Sequence, residues 1–249
     1  MIRHLAARLL RRAPPPCPAA PLVAIGDIHG CLGDLEALLA RIGDWLEAGP
    51  QLVLLGDLVD RGPDSRGVID RAMRLCTEHP GPAEVLMGNH ERMMLDFLDG
   101  HDPQGRWLAA GGAATLESFG IAPPPREASA DPARIAAEAR AAIGAERLDW
   151  LAARPLWLIS GDVVAVHAAW SVRRPDHRQD PALLLWGDPA FYRHLRRDPP
   201  WIVHGHVITR PARARGTRIA VDSGAFRGGG LSAVRLLPGA APEFRNSLG

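Results

Sequence analysis

The tightest constraint in this sequence is a threefold recurrence within its first hundred residues. An apolar run of strand length ends in a glycine and a polar turn, and a helical pattern follows: LVAIGDIHG from Leu22, QLVLLGDLVDRG from Gln51 and AEVLMGNHE from Ala83. The helical faces are Leu35, Leu38, Leu39, Ile42, Trp45 and Leu46, then Val68, Ile69, Ala72, Met73 and Cys76, then Met93, Met94, Phe97 and Leu98. They recur at the three- and four-residue steps of an amphipathic helix. The strand ends fall near residues 26, 56 and 88, separations of 30 and 32 residues, which is the length of a strand–helix–strand unit. A crossover helix returns the chain to start the next strand in the same direction, so the unit builds parallel pairs. All three polar turns then lie along one carboxyl edge of an α/β sheet, where such sheets keep their ligands.

Downstream, RWLAAGGAATLESFG, DPARIAAEARAAIG and AERLDWLAA predict a helical cap segment, in which we find no chemical motif. From Leu156 the pattern returns to strands. PLWLIS and VVAVHAAW flank Gly161-Asp162 and predict a hairpin. DPALLLWGDPAFYRHLRR predicts two short helices, and WIVHGH, TRIAVDSGA and LSAVRLL three further strands. The organisation expected is a basic N-terminal arm with a stiff proline-rich spacer (1–21), a body (22–238) and a C-terminal tail (239–249) that lacks periodicity and frays.

Composition narrows the functions. The 29 basic and 28 acidic residues nearly cancel, which does not favour nucleic acid as a partner. Every basic residue is arginine, so lysine Schiff-base chemistry and a lysine-dependent P-loop are excluded. Cys17, Cys31 and Cys76 are too few and scattered for a disulfide framework or a thiolate zinc site. No run reaches the ~18 apolar residues of a transmembrane helix. The expectation is a cytoplasmic protein, monomeric or weakly dimeric.

The side chains at the strand ends are Asp27, His29, Asp57, Asp60, Asn89 and His90, joined later by His167, His204 and His206. Mixed carboxylate and imidazole donors suit manganese, iron or zinc, whereas an all-oxygen set suits magnesium or calcium. Asp27 and His29 lie two apart and share a face when extended. Asp57, from the neighbouring strand, can bridge two cations ~3.5–4 Å apart. Asn89 offers a neutral oxygen, and His167 and His206 offer imidazole nitrogens. Taken singly, an aspartate at such a junction is more often a cap and a buried histidine more often a hydrogen-bonded core residue. Their grouping at successive strand ends carries the metal reading.

The ordered words GDIHG (Gly26 to Gly30), GDLVDRG (Gly56 to Gly62), GNHE (Gly88 to Glu91), VH (Val166-His167) and HGH (His204 to His206) resemble the metallophosphoesterases of the phosphoprotein phosphatase type. That group includes bacterial serine/threonine phosphatases and symmetrical diadenosine tetraphosphate hydrolases. The resemblance spans roughly residues 22 to 238. It implies a four-layer αββα sandwich of two mixed sheets with a dimetal centre at its apex. Asp27, His29 and Asp57 would hold the first ion, and Asp57, Asn89, His167 and His206 the second. Both would be divalent transition metals, manganese foremost, with iron or zinc as alternatives.

The chemistry implied is attack on phosphorus by a metal-bridging hydroxide. The Asp60–His90 pair would act as general acid unit and Arg61 would clasp phosphate oxygens. A second family arginine follows an LLW segment. Here Leu184-Leu185-Trp186-Gly187-Asp188-Pro189 departs from that pattern and leaves Arg193 as the candidate, with Arg196 and Arg197 nearby. Val207 stands where relatives often carry threonine, and His204 is left to contact phosphate or stabilise its turn.

Three functions compete. The leading expectation is hydrolysis of phosphoserine or phosphothreonine in a phosphorylated protein or peptide. Aromatic residues are only 5% of the chain, with Trp107, Phe119, Trp170 and Trp186 the candidate base-stacking surfaces, and the arginine-rich loop Ser171–Asp180 suits acidic peptides. The alternative is symmetrical hydrolysis of a dinucleoside polyphosphate of the diadenosine tetraphosphate type, with that nucleoside polyphosphate cleaved at the same centre. A catalytically silent binding scaffold is third, since no ligand and no general acid is missing.

Overall fold

The computed structural model describes residues 13–102, 105–123, 131–171, 173–174, 178–194 and 198–249. The basic arm, Arg196 and Arg197 lie outside the described residues. The first half alternates as expected: β1 (Leu22–Ile25), α1 (Leu32–Arg41), α2 (Gly43–Leu46), β2 (Gln51–Leu54), α3 (Ser65–Glu78), β3 (Ala83–Val85) and α4 (Asn89–Leu98). β1 pairs in parallel with β2, and β2 with β3. A π-helical turn, Leu108–Gly112, leads into α5 (Ala113–Ser118), α6 (Pro132–Ile143) and α7 (Ala145–Ala152). Asp131 caps α6 by accepting from the Ala133 N–H at 3.0 Å, with Pro132 at the first helical position. Arg147 clasps both oxygens of Asp70 at 2.7 and 3.1 Å and ties α7 to α3.

The second half forms β4 (Trp157–Ser160), β5 (Val163–Val166), α8 (Pro181–Trp186), α9 (Pro189–Arg193), β6 (Trp201–His204), β7 (Arg213–Arg215), β8 (Arg218–Ala220), β9 (Ser232–Leu236) and β10 (Glu243–Asn246). One sheet has the order β10-β9-β1-β2-β3 and the other β4-β5-β6-β8-β7. Both are mixed. The predicted hairpin is present as antiparallel β4 and β5, with Ser160 opposite Val163.

The period of two along each strand sets the layering. Val23, Ile25, Leu52 and Leu54 pack with the helices of the first half, whereas Leu22, Ala24, Val53 and Leu55 pack against Val163, Ala165, Val203 and Ile219 of the other sheet. Val164, Val166 and Ile202 point to the far side and meet Trp170 and Leu184. The result is helices, sheet, sheet and helices, the expected αββα sandwich. Among the described residues no helix is long and apolar enough to cross a membrane.

Two expectations about the ends are corrected. The tail does not fray: β10 adds an edge strand, with Glu243 opposite Arg235, and Arg245 is ion-paired with Asp44. Its EFRN sequence is fixed by ladder hydrogen bonds and charges, which leave no apolar period to read. Residues 13–21 are docked rather than a free spacer. Cys17 N–H donates to Asp162 Oδ1 at 2.6 Å, Asp162 N–H to the Cys17 carbonyl at 3.2 Å, and Trp201 Nε1 to the Pro14 carbonyl at 3.1 Å.

Candidate dimetal site

The backbone at the carboxyl edge is unusual before any side chain is considered. Among the described residues the non-glycine positions with left-handed φ are His29 (+48°), Asp57 (+50°), Asp60 (+74°), Arg61 (+70°) and His206 (+63°). All five are residues singled out from the sequence. Such conformations cost roughly 1–3 kcal/mol each and persist where surroundings over-determine them. Two glycines show the crowding: a Cβ on Gly62 would lie 2.1 Å from the His29 carbonyl oxygen, and one on Gly205 would lie 2.0 Å from Asp27 Oδ1.

Asp57 sits between two groups of donors. Its Oδ2 lies 3.4 Å from His29 Nε2 and its Oδ1 lies 3.5 Å from His167 Nε2. Ligand atoms of His29, Asp57 and His90 fall within 4.8 Å of one another, as do those of Asp57, His167 and His206, so each triad could hold a metal ion with Asp57 common to both. His29 Nδ1 donates to the Val59 carbonyl and His167 Nδ1 to the Leu55 carbonyl, each at 2.9 Å. Those bonds fix the tautomers and turn both Nε2 lone pairs inward, as a metal requires. Asn89 opens α4 with its Oδ1 2.9 Å from His167 Nε2 and 3.0 Å from His206 Nδ1. The Asp27 carboxylate accepts from the His206 N–H at 3.0 Å.

Electrostatics favour cations here. Burial, then Asp222 and Asp57, push the Asp27 carboxyl well above its ordinary range. Burial also raises Asp222 to about 6, and burial with Asp57 raises Glu91 to about 7. Burial would raise Asp57 too, but His167, His90 and His29 hold it low. Burial lowers His29 to about 3 and His206 to about 4, and lowers His167, so these rings are neutral donors. A pair of divalent cations relieves the carboxylate repulsion and uses the lone pairs; the residues fit the group.

His90 Nδ1 lies 2.7 Å from Asp60 Oδ2. Burial lowers its pKa, but Asp57 and Asp60 outweigh burial and the net direction is up. Arg61 places Nη1 2.9 Å from His29 Nε2 and Nη2 2.8 Å from His90 Nε2. Phe226 supports it, with the guanidinium carbon 4.6 Å from the ring centre. Arg193 is exposed at the end of α9, and its side chain has no hydrogen bond to the cluster. His204 Nδ1 meets the Gly205 carbonyl at 3.0 Å, and its ring packs on Phe191 and Tyr192.

Several residues at the site escaped the sequence reading. Glu91 accepts from the Leu58 and Val59 N–H groups with Oε1 (2.7 and 3.2 Å) and from Asp57 and Gly88 with Oε2 (2.8 and 3.0 Å). It pins the Asp57 turn to the start of α4. The signal was present, since a glutamate three residues past a glycine N-cap is half a capping box. The helical segment read as chemically empty supplies Trp107 Nε1 and Thr115 Oγ1, which donate to Asp60 Oδ1 at 3.0 and 2.6 Å. Trp107 is therefore buried and spent on Asp60, not a base-stacking surface.

Two stacked mixed sheets with this donor set on their common edge have the architecture of a metallophosphoesterase. Residues 20–228 match the family described as calcineurin-like phosphoesterase, and the chain belongs to that family. It is 27% identical to the asymmetrical bis(5'-nucleosyl)-tetraphosphatase of Oceanobacillus iheyensis, across 85% of this chain and 86% of that protein. It is 32% identical to the symmetrical bis(5'-nucleosyl)-tetraphosphatase of Neisseria meningitidis, across 58% of this chain and 42% of that one. In fold it is similar to a crystal structure provisionally described as a diadenosine tetraphosphatase, with a TM-score of 0.62 at 22% identity, covering 95% of this chain and 98% of that one.

Proposed function

We propose that the protein is a dimetal hydrolase of dinucleoside polyphosphates, the reading placed second from sequence alone. The observation that carries it is the similarity to an asymmetrical bis(5'-nucleosyl)-tetraphosphatase over most of both chains. In this reading Asp27, His29 and Asp57 hold one divalent ion, and Asp57, Asn89, His167 and His206 the other, with manganese the first choice. When bound, the ions supply charge neutralisation on the phosphoryl oxygens and activate water.

The chain's own residues do the rest. Arg61, fixed by Phe226 and its turn, presents two donors to phosphate oxygens in the fork geometry that suits them. Its Nη2 covers the His90 edge from which a proton would leave, so a phosphate that takes the guanidinium uncovers the acid. Asp60 holds His90 through Nδ1, leaving Nε2 to protonate the departing oxygen. Trp107 and Thr115 keep the Asp60 carboxylate from turning.

Steady-state assays of the metal-loaded protein on diadenosine tetraphosphate and a phosphoserine peptide test the reading. The expected result is a kcat/KM at least tenfold higher for the nucleotide, about 1.4 kcal/mol in transition-state stabilisation. A tenfold advantage for the peptide would overturn it.

A further inference from the structure

Outside the metal cluster, the outer face of the second sheet encloses a cavity of about 340 Å³, within the range of small-molecule sites. Trp170, Phe191, Leu183 and Ile202 give it flat and aliphatic walls, and Thr217 and Arg218 of the β8 region add polar groups. Those polar groups are not satisfied. Thr217 is 1% exposed and its hydroxyl has no hydrogen-bond partner; Arg218 Nε is buried and also without one. Arg218 spends one Nη on the Phe191 carbonyl and stacks over the Phe191 ring at 5.3 Å. Among the described residues no carboxylate forms an ion pair with it. Native interiors rarely leave donors in this state unless a ligand or water completes them.

The cavity connects to the metal cluster through one layer of packed side chains. Its Phe191 wall contacts the His204 ring with centroids 5.4 Å apart, and His204 stands two residues before His206. On the same side the Tyr192 hydroxyl donates to the carbonyl of Ala168, the residue after His167, at 3.0 Å. One buried side chain, His204, thus stands between the Phe191 wall of the cavity and the turn that carries His206.

We propose that the cavity binds one nucleoside end of the substrate, a nucleobase against the Trp170 and Phe191 walls with base or sugar polar atoms on Thr217 and Arg218. The proposal rests on the dinucleoside polyphosphate reading. It gives that reading what a phosphopeptide hydrolase would not need: a compartment with aromatic walls in which Thr217 Oγ1 and Arg218 Nε lack partners.

Two measurements test it. The first is binding of adenosine monophosphate to the full chain, read by tryptophan fluorescence, in wild type, Thr217→Val, Arg218→Met and Phe191→Ala. The second is KM for diadenosine tetraphosphate in the same proteins, with p-nitrophenyl phosphate as control. The expected result is binding weakened and KM raised tenfold or more in the variants, with aryl phosphate turnover within twofold of wild type. Thr217→Val keeps the shape of the side chain, so it reports on the hydroxyl even where Phe191→Ala fails to fold. Hydrolysis of the tetraphosphate with unchanged KM in Thr217→Val and Arg218→Met would overturn the proposal. Absence of tetraphosphate hydrolysis by wild type would instead overturn the proposed function. Nucleotide binding lost in the variants would then still support the cavity, and no binding to wild type would overturn it.

Discussion

The two sheets contribute to one edge by different means. The first supplies Asp27, His29, Asp57, Asp60 and Arg61 from turns that follow β1 and β2, plus Asn89 and His90 from the start of α4, and its polar groups are almost all paired within the turns. Glu91 alone satisfies four backbone N–H groups there. The second supplies His167 and His206, and its outer face carries a cavity in whose lining Thr217 Oγ1 and Arg218 Nε lack partners. The difference separates two tasks. In the proposed function, chemistry on a phosphoryl group would need the fixed positions of the first edge, and recognition of the rest of the substrate would need the space of the second.

The most severe way to break the first half is Asp57→Asn, because its two oxygens face different histidines. Metal analysis of the purified variant is expected to show loss of both ions, and activity is expected to fall beyond the ~10²–10⁴-fold that removal of a general acid costs. Retention of one full equivalent with high activity would show that Asp57 does not bridge. Next is His90→Asn, with metal content intact. Turnover of an alkyl phosphate or polyphosphate is expected to fall by ~10²–10⁴, while an aryl phosphate with a good leaving group is largely spared. Equal losses on both would assign His90 to metal binding, as its membership of one triad allows.

Glu91→Gln is expected to act through position alone. One amide oxygen cannot serve all four N–H groups, so metal affinity should weaken by ~10–100-fold, the cost of losing an outer-shell partner. Equilibrium dialysis measures this, and unchanged affinity would reduce Glu91 to a helix cap. The smallest effect sharpens the comparison from the other side. Asp180 caps α8 over the second sheet by accepting from the Ala182 N–H at 3.0 Å. Asp180→Ala should cost about 1 kcal/mol of stability in a denaturant titration, with metal affinity unchanged.

The same contrast explains what the sequence made legible. The first sheet's contribution is written in short words, GDIHG, GDLVDRG and GNHE, because a strand end, a tight turn and a helix start are all local. The hairpin at Gly161 and the cap at Asp131 were readable for the same reason. Trp107 and Thr115 lie 47 and 55 residues from Asp60, and tertiary packing, with the Arg61 N–H bonded to the Gly111 carbonyl, brings them together. The cavity was hidden because Thr217 and Phe191 belong to segments that read as an ordinary strand and an ordinary helix. β10 was missed because an exposed edge strand carries no apolar alternation.

The left-handed residues at the metal edge have a thermodynamic consequence. At about 1–3 kcal/mol each, they are set against the ~5–15 kcal/mol by which a typical native domain exceeds its unfolded chain. A cation that binds only the folded arrangement returns stability by mass action, about 2.7 kcal/mol when free metal is a hundredfold above Kd. Loading and folding are then linked equilibria in this chain. Its melting temperature should climb with the logarithm of free manganese and fall with a chelator, so a thermal scan reads the occupancy of the centre without any substrate.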